Sequence, residues 1–162
     1  MKPAATAAAF SLTLLLFALL LFALMPPAHA EPYEANPDAA TRDADYAAGK
    51  IAIEKKDWGE AVKRLQRAVV RDPDSADLHN YLGYSHRNLK QMDLAFKYYL
   101  RAIELNPRHR GAHEYVGEAY LMVNDLPGAE KHLAALREIC LLPCEELADL
   151  EKAIKGYRAK SK

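Results

Sequence analysis

Residues 76–107, ADLHNYLGYSHRNLKQMDLAFKYYLRAIELNP, decide how this chain is read. Displaced by one fixed interval in either direction, their skeleton recurs. Gly83 has counterparts in Gly49 and Gly117, Ala95 in Ala61 and Ala129, and Pro107 in Pro73. Ala102 looks back to Ala68 and forward to Leu136. A fixed period of some tens of residues marks a chain built from stacked supersecondary units. Glycine costs a helix interior about 1 kcal/mol relative to alanine, yet it returns once per unit at one position. The missing side chain there lets a neighbouring helix approach closely, and Ala61, Ala95 and Ala129 make the same argument for a second helix. Pro73 and Pro107 end those second helices, because proline lacks the N–H and clashes with the preceding turn. Each helix pair has an apolar face that it cannot cover alone, so neighbours must stack.

Within 76–109 the pattern resembles the tetratricopeptide repeat. That unit carries Leu-Gly in its first helix, a small residue early in its second, an aromatic four positions on, an alanine and a terminal proline. These are Leu82-Gly83, Ala95, Tyr99, Ala102 and Pro107. His79 stands where the unit's first aromatic is usual, and His86 where a tyrosine is usual. The first copy, 42–75, carries Ala48-Gly49, Ala61, Leu65, Ala68 and Pro73. The third, 110–143, carries Val116-Gly117, Tyr120, Ala129, Leu133 and Leu136, with its proline displaced to Pro143. The resemblance implies an all-α, right-handed α-solenoid of three helix-turn-helix repeats (42–75, 76–109 and 110–143), with 144–162 as a capping helix and tail.

The chain has 162 residues, 22 basic and 22 acidic, and 51% of its residues are apolar. That length suits one domain, but the first thirty residues inflate the apolar share. Residues 1–30 read as a secretory signal peptide, with Lys2 at the start and an apolar run over 10–25. Pro26-Pro27 follow, then Ala28-His29-Ala30 as a small-residue cleavage site. Cleavage is expected between Ala30 and Glu31, and the segment's form fits bacterial export to the periplasm. No cysteine lies near that bond to indicate lipoprotein processing. An uncleaved anchor is the alternative, since 4–25 carries no charge and is long enough to span a bilayer. Polar residues 31–41 form a flexible lead-in.

First helices are expected over 43–55, 76–89 and 109–123, second helices over 58–71, 92–105 and 126–139, and a final helix over 145–158. Thr41 or Asp43 caps the first helix. Asp57 and Asp125 cap second helices, and Pro127 sits harmlessly in a first turn. Trp58 is a packing residue at an intra-repeat turn. Leu147, Leu150, Ile154 and Tyr157 form one stripe of the final helix, which resembles the cap that covers the last exposed face of a repeat array.

No phosphate loop, nucleophile elbow or framed acid–base pair is present, so no enzyme and no cofactor are expected. Matched charges make no case for nucleic acid. Cys140 and Cys144 are the only cysteines, and in an exported chain an even count suggests a disulfide, here fixing the start of the final helix. A redox pair is the alternative, although the spacing is Cys-x-x-x-Cys. A metal pair would need further ligands. His109 and His113 have the spacing of a zinc pair on one helix face, but no third ligand is evident, and His113 shares its repeat position with His79.

In the family that the chain resembles, first helices line the concave surface. Mapping by repeat position gives Asp43, Tyr46, Lys50, Ile53 and Glu54 from the first copy. The second gives Asp77, Asn80, Tyr84, Arg87 and Asn88, and the third Glu114, Glu118, Leu121 and Met122. Tyr46, Lys50, Asn80, Tyr84, Arg87, Asn88, Glu118 and Leu121 are the candidate partner-binding residues, suited to an extended peptide or a partner helix. The Lys/Asn/Arg carboxylate clamp of the family's chaperone-binding branch is not reproduced, because Gly111 falls where a clamp lysine is expected. The expected protein is a non-catalytic interaction module, scaffold or assembly factor. It is a monomer or weak homodimer, without a membrane contact once the signal is removed. A redox or metal-handling protein and a membrane-anchored adaptor are the alternatives.

Overall fold

A computed structural model describes residues 43–160; the expected signal segment, its cleavage bond and the lead-in lie outside the described residues. Seven helices follow one another, and no strand occurs among the described residues. They are α1 (Ala44–Glu54), α2 (Trp58–Arg71), α3 (Ala76–Asn88), α4 (Met92–Leu105), α5 (Arg110–Met122), α6 (Leu126–Ile139) and α7 (Glu145–Lys160). The array is an α-solenoid of three antiparallel pairs closed by α7. None of the described helices is long and apolar enough to cross a membrane.

The turn inside each pair is the same device built three times. Lys56, Lys90 and Asn124, which share one repeat position, have φ of 58°, 63° and 63°. The left-handed residue lets two amides turn back onto the first helix. Lys56 N–H reaches Ile53 O and Asp57 N–H reaches Ala52 O; Lys90 and Gln91 do the same to Arg87 and His86, and Asn124 and Asp125 to Leu121 and Tyr120. This double bond is the Schellman ending, which satisfies the last carbonyls of a helix. Asp57 and Asp125 then accept from Glu60 N–H and Gly128 N–H to start the second helices. Gln91 makes no such cap; its Oε1 faces His86 Nδ1 at 2.6 Å instead.

Between pairs a second device repeats. His79 Nε2 lies 2.8 Å from Pro73 O, and His113 Nε2 lies 3.1 Å from Pro107 O. Each imidazole N–H thus donates to the carbonyl of the proline that ends the preceding helix. A histidine in place of the usual aromatic gains a donor that ties the turn to the helix following it. In α1, Asp45 stands at this position. Asp43 caps α1 through Asp45 and Tyr46 N–H, and Arg71 grips both Asp43 and Asp45. The Arg71 hydrogen bond holds the Asp43 carboxyl down at about 2.

Small residues set the spacing. A Cβ on Gly49 would meet Leu65 at 2.7 Å, and one on Gly83 would meet the Tyr99 ring at 2.6 Å. Gly117 departs from this pattern: its register partner is Leu133, but the close neighbour is Leu150 of α7 at 2.7 Å. Ala61, Ala95 and Ala129 have no exposed surface. The core falls into three clusters. Leu65, Leu78 and Leu82 join α2 to α3, Tyr99 and Val116 join α4 to α5, and Leu133, Leu136, Leu150 and Ile154 join α6 to α7. Each cluster bridges one pair to the next, so no pair completes its core alone. Burying Leu150 contributes about 2 kcal/mol of transfer free energy and closes the array. Cys140 and Cys144 are joined in a disulfide with Cα atoms 6.1 Å apart, one residue before α7 begins.

Candidate interaction groove

First helices touch first helices: α1 meets α3, α3 meets α5 and α5 meets α7, while no contact of similar extent joins the second helices to one another. The first-helix side is therefore the inner face. One repeat position of the first helices carries Lys50, Tyr84 and Glu118, and its next step falls on Lys152 of α7, each a single repeat period from the last.

The eight candidate residues divide into two groups. Arg87 is 8% exposed. Its guanidinium lies 5.1 Å from the centre of the Tyr84 ring and 5.4 Å from that of Tyr115. Nη1 donates to Glu118 Oε2 at 2.6 Å and to Tyr115 O at 3.1 Å. The two tyrosine rings are 4.9 Å apart, and Trp58 meets Tyr84 edge-on at 5.7 Å. Asn88 Nδ2 donates to Tyr84 O. Tyr46 is buried with its ring against Tyr81 at 5.9 Å. Arg87, Glu118, Tyr84 and Tyr46 thus hold successive repeats together, while Asn88 is bonded within its own helix. Lys50 is exposed, its Nζ 5.7 Å from both the Tyr46 and Tyr81 rings. Leu121 lines a cleft of about 590 Å³ between α5 and α7, with Met122, Lys152 and Tyr157. Asn80, 4% exposed, lines a second cleft of about 330 Å³.

The contribution of α7 is what the mapping of three repeats left out. Asp149 lines both clefts, and Glu145 and Glu146 line the smaller one. One further step of the repeat period from Glu118 would have found Lys152, because α7 occupies the place of a fourth first helix. In the smaller cleft Glu114 faces Asp149 and Glu146 of α7, Glu118 of its own helix and Arg87 of α3. Burial first, and then the Glu118, Asp149 and Glu146 carboxylates, push the Glu114 carboxyl up to about 8 against a weak opposing pull from Arg87.

The histidines are committed elsewhere. His109 Nδ1 accepts Ala112 N–H as the cap of α5, so Nε2 carries the proton and donates to Asp77 Oδ1 at 2.9 Å. His113 donates from Nε2 to Pro107 O, which leaves Nδ1 to accept from His132 Nδ1–H at 3.0 Å. Tyr120 stacks on His132 at 5.6 Å. Burial, with His113 and Lys131 nearby, depresses His132 to about 4. His109 and His113 therefore have no nitrogen left for a shared metal. Among the described residues no group of three or more His, Cys, Asp or Glu side chains is arranged to hold one.

The family model for the tetratricopeptide repeat matches residues 46–108. A transcriptional repressor of the sol locus from Clostridium acetobutylicum is 29% identical over 82 residues, 51% of this chain and 26% of that protein. The human protein O-mannosyl-transferase TMTC3 is 32% identical over 75 residues, 46% of this chain and 8% of that protein. The chain thus spans only a small part of the curated relatives it matches. Among solved structures, the type III secretion translocator chaperone SycD of Yersinia enterocolitica superposes with a TM-score of 0.67 at 20% identity, covering 80% of this chain and 98% of that one. PcrH in complex with the chaperone binding region of PopD superposes at 0.66 and 20% identity, covering 76% and 96%. These likenesses extend the fold beyond the matched segment. Residues 46–108 belong to the tetratricopeptide-repeat family, and the helices that follow them continue the same solenoid.

Proposed function

We propose that this chain is a non-catalytic protein-interaction module that takes a peptide or a partner helix along its inner face. The observation that carries this reading is the pair of adjoining clefts over α3, α5 and α7, one of about 590 Å³ and one of about 330 Å³, meeting at Asp149. A partner laid there meets aliphatic surface from Leu121 and Met122 beside charged side chains of both signs, the mixture that suits helix or strand recognition. PcrH, of the same fold, is solved with a segment of PopD, and this supports a polypeptide ligand. The signal-like segment at 1–30 supports export, and the periplasm is the compartment proposed. The expected mature chain begins at Glu31, and the intact mass of protein isolated from its own cells checks that bond.

The test of the interaction reading is cross-linked affinity capture from those cells, beside a Lys50→Glu/Met122→Asp variant. Both residues are exposed, so the variant keeps the fold. A partner captured by the natural chain and lost in the variant is the expected result. A partner retained in both moves the working surface off the inner face.

A further inference from the structure

The smaller cleft has a chemistry of its own. Asp77 and Asn80 enter it from α3, Glu114 from α5, and Glu145, Glu146 and Asp149 from α7. Two of the carboxylates have partners: Asp77 accepts from the His109 ring at 2.9 Å, and Glu146 lies 3.6 Å from Arg110. Glu114, Glu145 and Asp149 form no ion pair among the described residues. The helix dipole accounts for Glu145, which lies in the first turn of α7. It does not account for Glu114 and Asp149, which lie beyond the first turns of their helices, where the dipole's influence has faded.

A second observation is independent of the charges. Asn80 lines the cleft, is more than nine-tenths buried, and its Oδ1 has no hydrogen-bond partner among the described residues. A buried acceptor left unpaired carries its desolvation penalty without compensation. Gly111 keeps the wall beside it open, because a Cβ there would come within 3.3 Å of Asn80 Nδ2. The cleft therefore offers acceptors on three helices, beside Tyr81 and Tyr115, and the buried atom left there without a partner is itself an acceptor.

We propose that this cleft is a subsite for a basic side chain, lysine or arginine, of the polypeptide bound along the inner face. The inference rests on the interaction reading and specifies the partner's chemistry. An ammonium or guanidinium brings positive charge and several N–H donors together, and charge-assisted hydrogen bonds are the stronger kind. The carboxylates are not grouped for direct metal coordination, which favours a cation with longer reach. Asp149 joins this cleft to the aliphatic surface of the larger one, so a basic residue here can be followed along the same chain by apolar ones there. The charge sense is the opposite of a carboxylate clamp, and Gly111 stands in place of that clamp's lysine.

The experiment uses the protein as isolated from its own cells and a fluorescent, N-acetylated, C-amidated tetralysine peptide as probe. Its counterparts are the same peptide with every lysine acetylated, and the free polyamine spermine. Two variants each replace two carboxyl groups by amides: Glu114→Gln/Asp149→Asn inside the cleft, and Asp93→Asn/Glu138→Gln on exposed positions outside it. The expected result is that tetralysine affinity falls about tenfold in the first variant and less than twofold in the second. The acetylated peptide should bind neither form. Equal losses in both variants overturn the subsite, as does equal binding of the acetylated peptide. Spermine binding as tightly as the peptide, with the same dependence on the variants, overturns the assignment to a polypeptide side chain. The broader reading fails separately: if the Lys50→Glu/Met122→Asp variant loses its captured protein while tetralysine shows no preference for the cleft, the groove stands and the basic subsite does not.

Discussion

The two sides of α5 make opposite use of titratable groups drawn out of solvent. Towards α6, His113 and His132 form a closed set: Pro107 O accepts from one ring, the rings bond to each other, and Tyr120 covers them. Every donor named there has an acceptor. Towards α3 and α7, Glu114 meets carboxylates on its own helix and on α7, and Asn80 Oδ1 on α3 has no hydrogen-bond partner among the described residues. The first arrangement stabilises the fold. The second is held at a cost to it, and an uncompensated cluster in a concave cleft is where a functional surface is expected. Arg87 shows that the inner face also contains closed sets, since its contacts with Glu118, Tyr84 and Tyr115 are complete within the chain.

The largest effect should come from breaking that inner closed set. Arg87→Ala leaves Glu118 without its partner and two tyrosine rings without their cation, and should cost about 3 kcal/mol in urea unfolding. A loss under about 1 kcal/mol would mean that Arg87 is free to serve a ligand. The histidine side comes next. His132 titrates at about 4 in the fold against about 6.5 in an unfolded chain. Because the folded value is depressed, its contribution is fully present above pH 6.5 and is lost as pH falls towards 4. Roughly 3 kcal/mol should disappear across that window, and His132→Phe should flatten the curve.

On the open side the sign reverses. Glu114 is raised in the fold to about 8, so its contribution is present below the ordinary glutamate value near 4.5 and is lost as pH rises through 8. Glu114→Gln should therefore be more stable than the natural chain at pH 9, by about 1 kcal/mol once solvent screening is allowed for. The two chains should coincide near pH 4. The smallest effect belongs to the disulfide. It closes a short loop, so Cys140→Ser/Cys144→Ser should lower global stability by about 1 kcal/mol or less. Faster amide exchange confined to the first turn of α7, where Glu145 and Glu146 sit, would mark its local role.

The repeat was legible because its signals are local and recur. Three glycines, three alanines and two prolines at one spacing require no knowledge of contacts, and the helices begin and end within a residue or two of the expected positions. Other features were not legible in this way. The left-handed turn residues are Lys56, Lys90 and Asn124, and lysine carries no sequence mark of positive φ; only the position between the two helices points to them. Gly117 packs on Leu150 because α7 takes a fourth first-helix place, and α7 lacks the glycine that would have announced it there. Arg87 reads as a groove residue by position, yet the long side chain folds back under two aromatic rings, a choice decided by tertiary neighbours. The acidic cleft joins residues from three helices, and no stretch of sequence displays it. The equivalence of His79 and His113, each six residues after a proline, was visible, and the turn-locking bond explains it.

The most direct measurement is the titration of Glu114 by carboxyl-selective carbon NMR in the isolated protein, without and with the tetralysine peptide. Glu118, Asp149, Glu146 and Arg87 are the charged groups that face it, and the unliganded carboxyl should titrate near 8. With the peptide bound, a cation among those carboxylates should bring it down towards the ordinary glutamate range. A Glu114 that titrates normally in the free protein, or near 8 whether or not the peptide is present, would contradict the claim that this face of α5 is left open for a basic partner.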